Sequence, residues 1–89
     1  MKQVEVICQH KFDGRIIPIK FKIIDEDGFA QEFMIQRYKD KTIYQTDANG
    51  IKHTDSFYYS FVIVFEVFGE EKYADLRYSR NSNLWDISI

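Results

Sequence analysis

The run from Phe57 to Phe68, FYYSFVIVFEVF, constrains this chain more than any other segment. It is dense in aromatic and β-branched residues, which suit a pleated surface and lose rotamer freedom in a helix. In an extended strand Phe57, Tyr59, Phe61, Ile63, Phe65 and Val67 share one face, and Tyr58, Ser60, Val62, Val64, Glu66 and Phe68 share the other. Both faces are apolar through the middle, as in a strand covered on two sides. The run therefore predicts a central strand with the rest of a small domain wrapped around it.

The 89 residues suffice for one domain, residues 1–89. At this length a fold buries only about 60–65% of the surface its unfolded chain exposes, so each large side chain counts. Aromatic residues make up 17% of the chain, and most are assigned to the core. The net charge of −2 lacks the basic excess of a dedicated duplex-DNA binder. Cys8 is the single cysteine, so no intramolecular disulfide forms, and a reducing, cytoplasmic compartment is expected. The segment Met1 to Glu5 has no apolar signal region, and Phe61 to Phe65 is too short to span a bilayer. No membrane association is expected.

Alternation and turn dipeptides place the other strands. Val4, Val6 and Cys8 alternate with polar residues in a first strand, and Asp13-Gly14 turns it into a second. There Ile17, Ile19, Phe21 and Ile23 are expected on one face, with Lys20 and Lys22 opposite. Pro18 lacks an N–H, so this strand is either an edge or bulged at that point. Asp25 to Gly28 forms a further turn, after which Phe33 and Ile35 face inward. Arg37 to Lys41 is polar and is expected to end that strand; Met34, Arg37, Tyr38 and Lys41 also fall at the spacing of a one-turn helix. Residues 39–49 read either as a loop or as a short strand, Thr42 to Thr46, closed at Asn49-Gly50. Gly69-Glu70 is expected to form a type II′ turn. The returning strand then puts Ala74, Leu76 and Tyr78 inward. Trp85, Ile87 and Ile89 share a face of the last strand, which carries little edge charge and is expected to be an open edge able to pair with a second copy.

The hairpin Asp13-Gly14-Arg15-Ile16-Ile17-Pro18, the turn Glu26-Asp27-Gly28 and the stretch from Gly50 to Trp85 resemble short uncharacterised β-rich proteins of Gram-positive bacteria. The resemblance implies a small β-barrel and carries over no catalytic or binding residue.

Few constellations point to chemistry. Cys8, His10, His53 and Asp55 lack the paired thiolates of a structural zinc site. His53, Asp55 and Ser56 are nearly contiguous, whereas a catalytic triad converges from separate elements. Asp25-Glu26-Asp27 lacks the alternating ligands and distal Glu of a calcium loop. No metal, no cofactor and no catalytic residue is therefore assigned. The binding surface is placed at Arg37, Tyr38, Lys39, Lys41 and Tyr44, where tyrosines and cations interleave in the segment with least structural role.

The expected fold is all-β, a small partly open barrel of SH3-like or OB-like kind with five or six mostly antiparallel strands. A compact two-sheet sandwich is the alternative. The expected function is a non-catalytic interaction module that binds a protein partner. Single-stranded nucleic acid binding by an OB-like barrel is the second reading.

Overall fold

The computed structural model of the chain describes residues 2–89. In chain order its strands are β1 (Lys2–His10), β2 (Ile16–Ile24), β3 (Ala30–Met34), β4 (Arg37–Asp40), β5 (Gln45–Thr46), β6 (Lys52–His53), β7 (Tyr58–Val67), β8 (Glu70–Ser79) and β9 (Trp85–Ser88). No helix occurs among the described residues. Seven strands form one antiparallel sheet in the order β3-β2-β1-β9-β8-β7-β4, and β5 pairs with β6 in a separate hairpin.

The two end strands of the sheet, β3 and β4, are consecutive in sequence. Between them the Ile35 N–H donates to the Ile19 carbonyl of β2 at 2.9 Å, and the Gln36 N–H donates to the Val64 carbonyl of β7 at 2.8 Å. One extended run is thus bonded first to one end of the sheet and then to the other. This curls the sheet into the expected partly open all-β barrel, with seven strands in place of five or six, rather than a sandwich of two large sheets. The stretch from Phe33 to Lys41 is extended, with the polar Arg37 to Asp40 forming a strand of its own instead of ending one or turning into helix.

The barrel interior is filled from alternate positions. Phe21, Phe61, Ile63, Phe65, Ala74, Leu76, Trp85 and Ile87 are buried in one cluster, and Val4, Val6, Cys8, Phe33 and Ile35 pack against it. Phe21, Phe33 and Phe65 stack at one end with ring centroids 4.9–5.4 Å apart. The inner face of β7 is the one expected from its sequence. β8 flanks β7 as the expected returning strand, while its other neighbour is the end strand β4, and β9 occupies the middle of the sheet.

That placement corrects the expectation of an open C-terminal edge. In β9, Trp85, Asp86 and Ile87 are in register with Val4, Gln3 and Lys2 of β1 on one side. On the other they face Tyr78, Arg77 and Leu76 of β8. Both edges are occupied, so β9 has no free edge along these residues to offer a second copy. Alternation reports which face of a strand is covered and not which strands flank it.

Of the two readings of Pro18 the structure has the bulge: β2 lies between β1 and β3 and is not an edge. The register jumps from Ile7↔Lys20 to Cys8↔Pro18, leaving Ile19 as the extra residue of a bulge. Parity changes across it. Phe21 is buried on one side of the bulge, Pro18 and Ile16 on the other, while Ile19 is 37% exposed. The expected common face of Ile17, Ile19, Phe21 and Ile23 is broken at this point. A further correction falls on the β7–β8 turn. Val67 pairs with Glu70, so the turn is Phe68-Gly69, with φ of +50° and +81°, the type I′ pattern.

Candidate functional site

Beyond β4 the chain makes a long excursion before it re-enters the sheet at β7, and Asp40 starts it. The Asp40 carboxylate accepts the Thr42 N–H at 2.9 Å and the Tyr44 hydroxyl at 2.7 Å. Burial, followed by the bond to Asp40, pushes the Tyr44 phenol well above its ordinary pKa. The Thr42 hydroxyl oxygen accepts the Ser60 N–H at 2.9 Å, tying the excursion to β7. Of residues 39–49, expected as loop or strand, Lys39 and Asp40 end β4, and Gln45–Thr46 forms β5, paired with Lys52–His53 across the Asp47-to-Gly50 turn.

This hairpin seats on the β1–β2 turn at one end of the barrel. The Lys52 N–H donates to the Asp13 carbonyl at 2.6 Å. Gly14, at φ +95°, approaches so closely that a Cβ there would overlap the Lys52 carbonyl oxygen. Only glycine satisfies both demands. From the β8–β9 turn, Arg80 reaches across and donates from Nη1 to the Thr54 carbonyl at 2.5 Å and the Ser56 carbonyl at 3.1 Å. The Arg80 N–H also donates to the Phe57 carbonyl at 3.0 Å.

The five residues expected to form one surface divide between two faces. Arg37 makes a two-point bond to Glu71, at 3.1 and 3.3 Å, and the carboxylate raises the guanidinium pKa further. Lys41 Nζ lies 3.7 Å from Asp75, and Lys39 is exposed on the same strand face as Arg37. Tyr38 turns the other way, its ring edge-on to Phe61 with centroids 6.2 Å apart. Tyr44 leans on Tyr59 at the barrel end, also with centroids 6.2 Å apart. Two of the three cations are therefore matched by carboxylates on the outside; Tyr44 is half-buried, and Tyr38 touches Phe61 while staying 40% exposed.

What the barrel end assembles instead is a cleft of about 290 Å³ lined by His10, Lys11, Arg15, Tyr59, Tyr78 and Arg80. Arg15 is paired with Asp13 at 2.9 Å. The Asp13 carboxyl is held below the usual range, first by accepting the Arg15 N–H and then by the charges of Arg15 and Lys11. Lys11 and Arg80 differ: among the described residues neither forms an ion pair. Arg80 is held by carbonyl oxygens, which fix its position without cancelling its charge. Tyr78 is stacked between Tyr59, 6.0 Å away, and Trp85, 5.0 Å away, so both ring faces are taken. Its hydroxyl donates to Asn83 Oδ1 at 2.7 Å. Phe12 and Phe57 stand exposed at this end, at 95% and 66%.

No family model matches the chain, and no curated protein or solved structure matches it. Roles here rest on geometry alone. Sequence reasoning missed this cleft because its members come from the β1–β2 turn, the start of β7 and the end of β8. No local spacing unites Lys11 with Arg80; the antiparallel pairing of β1 with β9, and of β9 with β8, links the strands that they follow.

The remaining polar clusters are self-contained. Cys8 Sγ lies 3.7 Å from His10 Nε2, but burial raises the thiol pKa, which keeps it protonated and poorly nucleophilic. His53 Nε2 is 2.8 Å from Asp47 on an exposed turn, with Asp55 and Ser56 forming no bond to either. Among the described residues no three His, Cys, Asp or Glu side chains converge as metal ligands. A smaller cleft of about 170 Å³ at the β2 bulge is lined by Lys20, Lys22, Glu5 and Glu32, which pair with one another at 3.5–4.0 Å. No described helix is long and apolar enough to cross a membrane.

Proposed function

We propose that this chain is a non-catalytic interaction module that binds a protein partner through the cleft at the barrel end, in a reducing, cytoplasmic compartment. The observation that carries the reading is the pair of cations that line the cleft with no ion pair among the described residues, Lys11 and Arg80. Phe12, exposed, follows Lys11 in the chain, and Phe57, also exposed, accepts the Arg80 N–H through its carbonyl. Cations beside aromatic surface suit a peptide segment carrying carboxylates and an apolar side chain. Arg and aromatic residues are the types that dominate binding energy at protein interfaces. The cleft lies at the lower limit of small-molecule pockets and is open, which fits a side chain better than an enclosed substrate.

Nucleic acid binding is the second reading, since cations and tyrosines also form single-strand platforms. Bases stack on free ring faces, and both faces of Tyr78 are already occupied. The protein reading is therefore preferred. Fluorescence anisotropy with a labelled peptide rich in Glu and Phe, run beside labelled oligothymidine, tests the choice. The peptide is expected to bind, to weaken as salt is raised, and to be lost in Lys11→Glu. Binding of the oligonucleotide alone would replace this reading with the second, and binding of neither would remove the cleft.

A further inference from the structure

The β7–β8 turn breaks a local rule with no return inside the fold. Both of its central residues need positive φ, a position that favours Asn, Asp or Gly. Phe68 occupies the first of them at φ +50° and is fully exposed. A bulky residue in this conformation is strained. Its ring joins neither the aromatic contacts nor the core cluster. Departures of this kind point to a function for the side chain.

The surroundings of Phe68 define what it would meet. Glu66 and Glu71 stand directly opposite each other, and Glu70 ends the turn. Like charges in register are unfavourable for a hairpin. Arg37 binds Glu71 and Lys72 lies 3.2 Å from Glu70, while among the described residues no cation pairs with Glu66. The tip is a single aromatic ring in a collar of three carboxylates, of which Glu66 alone has no cation among the described residues. It would be repelled by anionic lipid headgroups and by nucleic acid phosphates.

The surface that complements it is already in the molecule. The tip lies beyond Val67, the last residue of β7, and the cleft lies by Tyr59, near its first. One end of the barrel offers a ring with carboxylates; the other offers an open cleft with Lys11, Arg80 and exposed phenylalanines. We propose that the Phe68 tip of one copy docks in the barrel-end cleft of a second copy, giving head-to-tail association. This rests on the cleft being a protein-binding site. Knob and cleft sit at opposite ends, so the contact is heterologous and does not close on itself in a dimer. It needs no free strand edge. The acidic segment of another partner would compete with the tip for the same cleft.

Sedimentation velocity on the whole chain tests this. The wild-type protein is expected to gain mass with concentration through dimer and larger species. Phe68→Asn, a residue suited to this turn, should weaken association about thirtyfold, the loss typical of a buried aromatic anchor, with an unchanged or higher melting temperature. Lys11→Glu should do the same from the other surface. Glu66→Lys places opposite charges in register with Glu71, so it tests the collar without weakening the hairpin. The decisive sample is an equimolar mixture of Phe68→Asn and Lys11→Glu. Each keeps one working surface, so the mixture should form a 1:1 dimer and nothing larger. A wild type that stays monomeric to high micromolar concentration overturns the proposal, as does association that neither variant weakens. If that monomer still binds the Glu- and Phe-rich peptide, the cleft reading stands and only the head-to-tail contact fails; if it binds no peptide, both fall.

Discussion

Phe61 is wholly buried, with Tyr38 edge-on to one part of its ring and Trp85 tilted against another. Truncation to Ala would leave a cavity that strands bonded on both sides cannot collapse to fill. Phe61→Ala should cost about 3–5 kcal/mol in urea unfolding, a large share of the stability of a domain this small. Gly14 is governed by backbone and not by packing. Gly14→Ala meets both a positive φ and the Lys52 carbonyl, and should destabilise by roughly 1–3 kcal/mol. Faster hydrogen exchange at the Lys52 amide, which bonds to Asp13, would locate the damage. Tyr44 gives a prediction in pH. Its folded pKa is raised, so the folded state favours the neutral phenol. The stabilisation is fully present below the unfolded phenol pKa and is lost as pH rises above it toward the folded value. Alkaline unfolding should be less steep in pH for Tyr44→Phe. In the wild type one tyrosine should keep its proton, by ultraviolet titration, after exposed tyrosines have ionised.

At the scale of elements, the strands that carry unbroken alternation were legible. From Tyr59 to Val67 the inward residues are those the pattern names, and Ala74, Leu76, Trp85 and Ile87 follow suit. Turn chemistry at Asp13-Gly14 and Asp25 to Gly28 was legible as well, because Asp side chains bonding nearby N–H groups and glycines at positive φ are local devices. The bulge in β2 was legible only as one of two readings of Pro18. Ile17 and Ile19 are as apolar as Phe21, so a one-residue insertion leaves no mark in hydrophobicity; only Pro18 hinted at it. The site was legible only in part. Tyr44 does face the cleft end, but Arg37 and Lys41 meet carboxylates of β8, a partner that spacing along β4 cannot reveal. Deleting Ile19 tests the bulge directly. It would restore regular alternation and move either Phe21 or the Ile16–Pro18 pair off the core face. The variant should lose cooperative melting. A sharp transition near the wild-type temperature would show that β2 tolerates either parity and that the bulge has no structural role.

The whole molecule is closed by contacts distant in sequence. Lys2 to Val4 pair with Trp85 to Ile87, joining the first strand to the last across nearly the entire chain. Ile35 and Gln36 stitch the two ends of the sheet together. Each meander, β1-β2-β3 and β7-β8-β9, turns locally, yet each alone is a three-stranded sheet with one apolar face open. Folding therefore waits on the long-range pairings, and their loop-closure entropy makes this a slow class of fold. The C-terminal strand is where that dependence can be probed. β9 is only four residues long, but it hydrogen-bonds to β1 and β8 and buries Trp85 and Ile87 against Leu76 and Phe61. Removing residues 85–89 would take two core side chains, expose the facing edges of β1 and β8, and disconnect the meanders. A chain ending at Leu84 should therefore show no cooperative unfolding, weak near-ultraviolet dichroism and a tendency to aggregate through the two new edges. Adding back a synthetic peptide of residues 85–89 should restore part of the near-ultraviolet signal if β9 is a true interior strand. If the shortened chain instead melts sharply on its own, the barrel does not depend on β9, and the middle of the sheet has been misplaced.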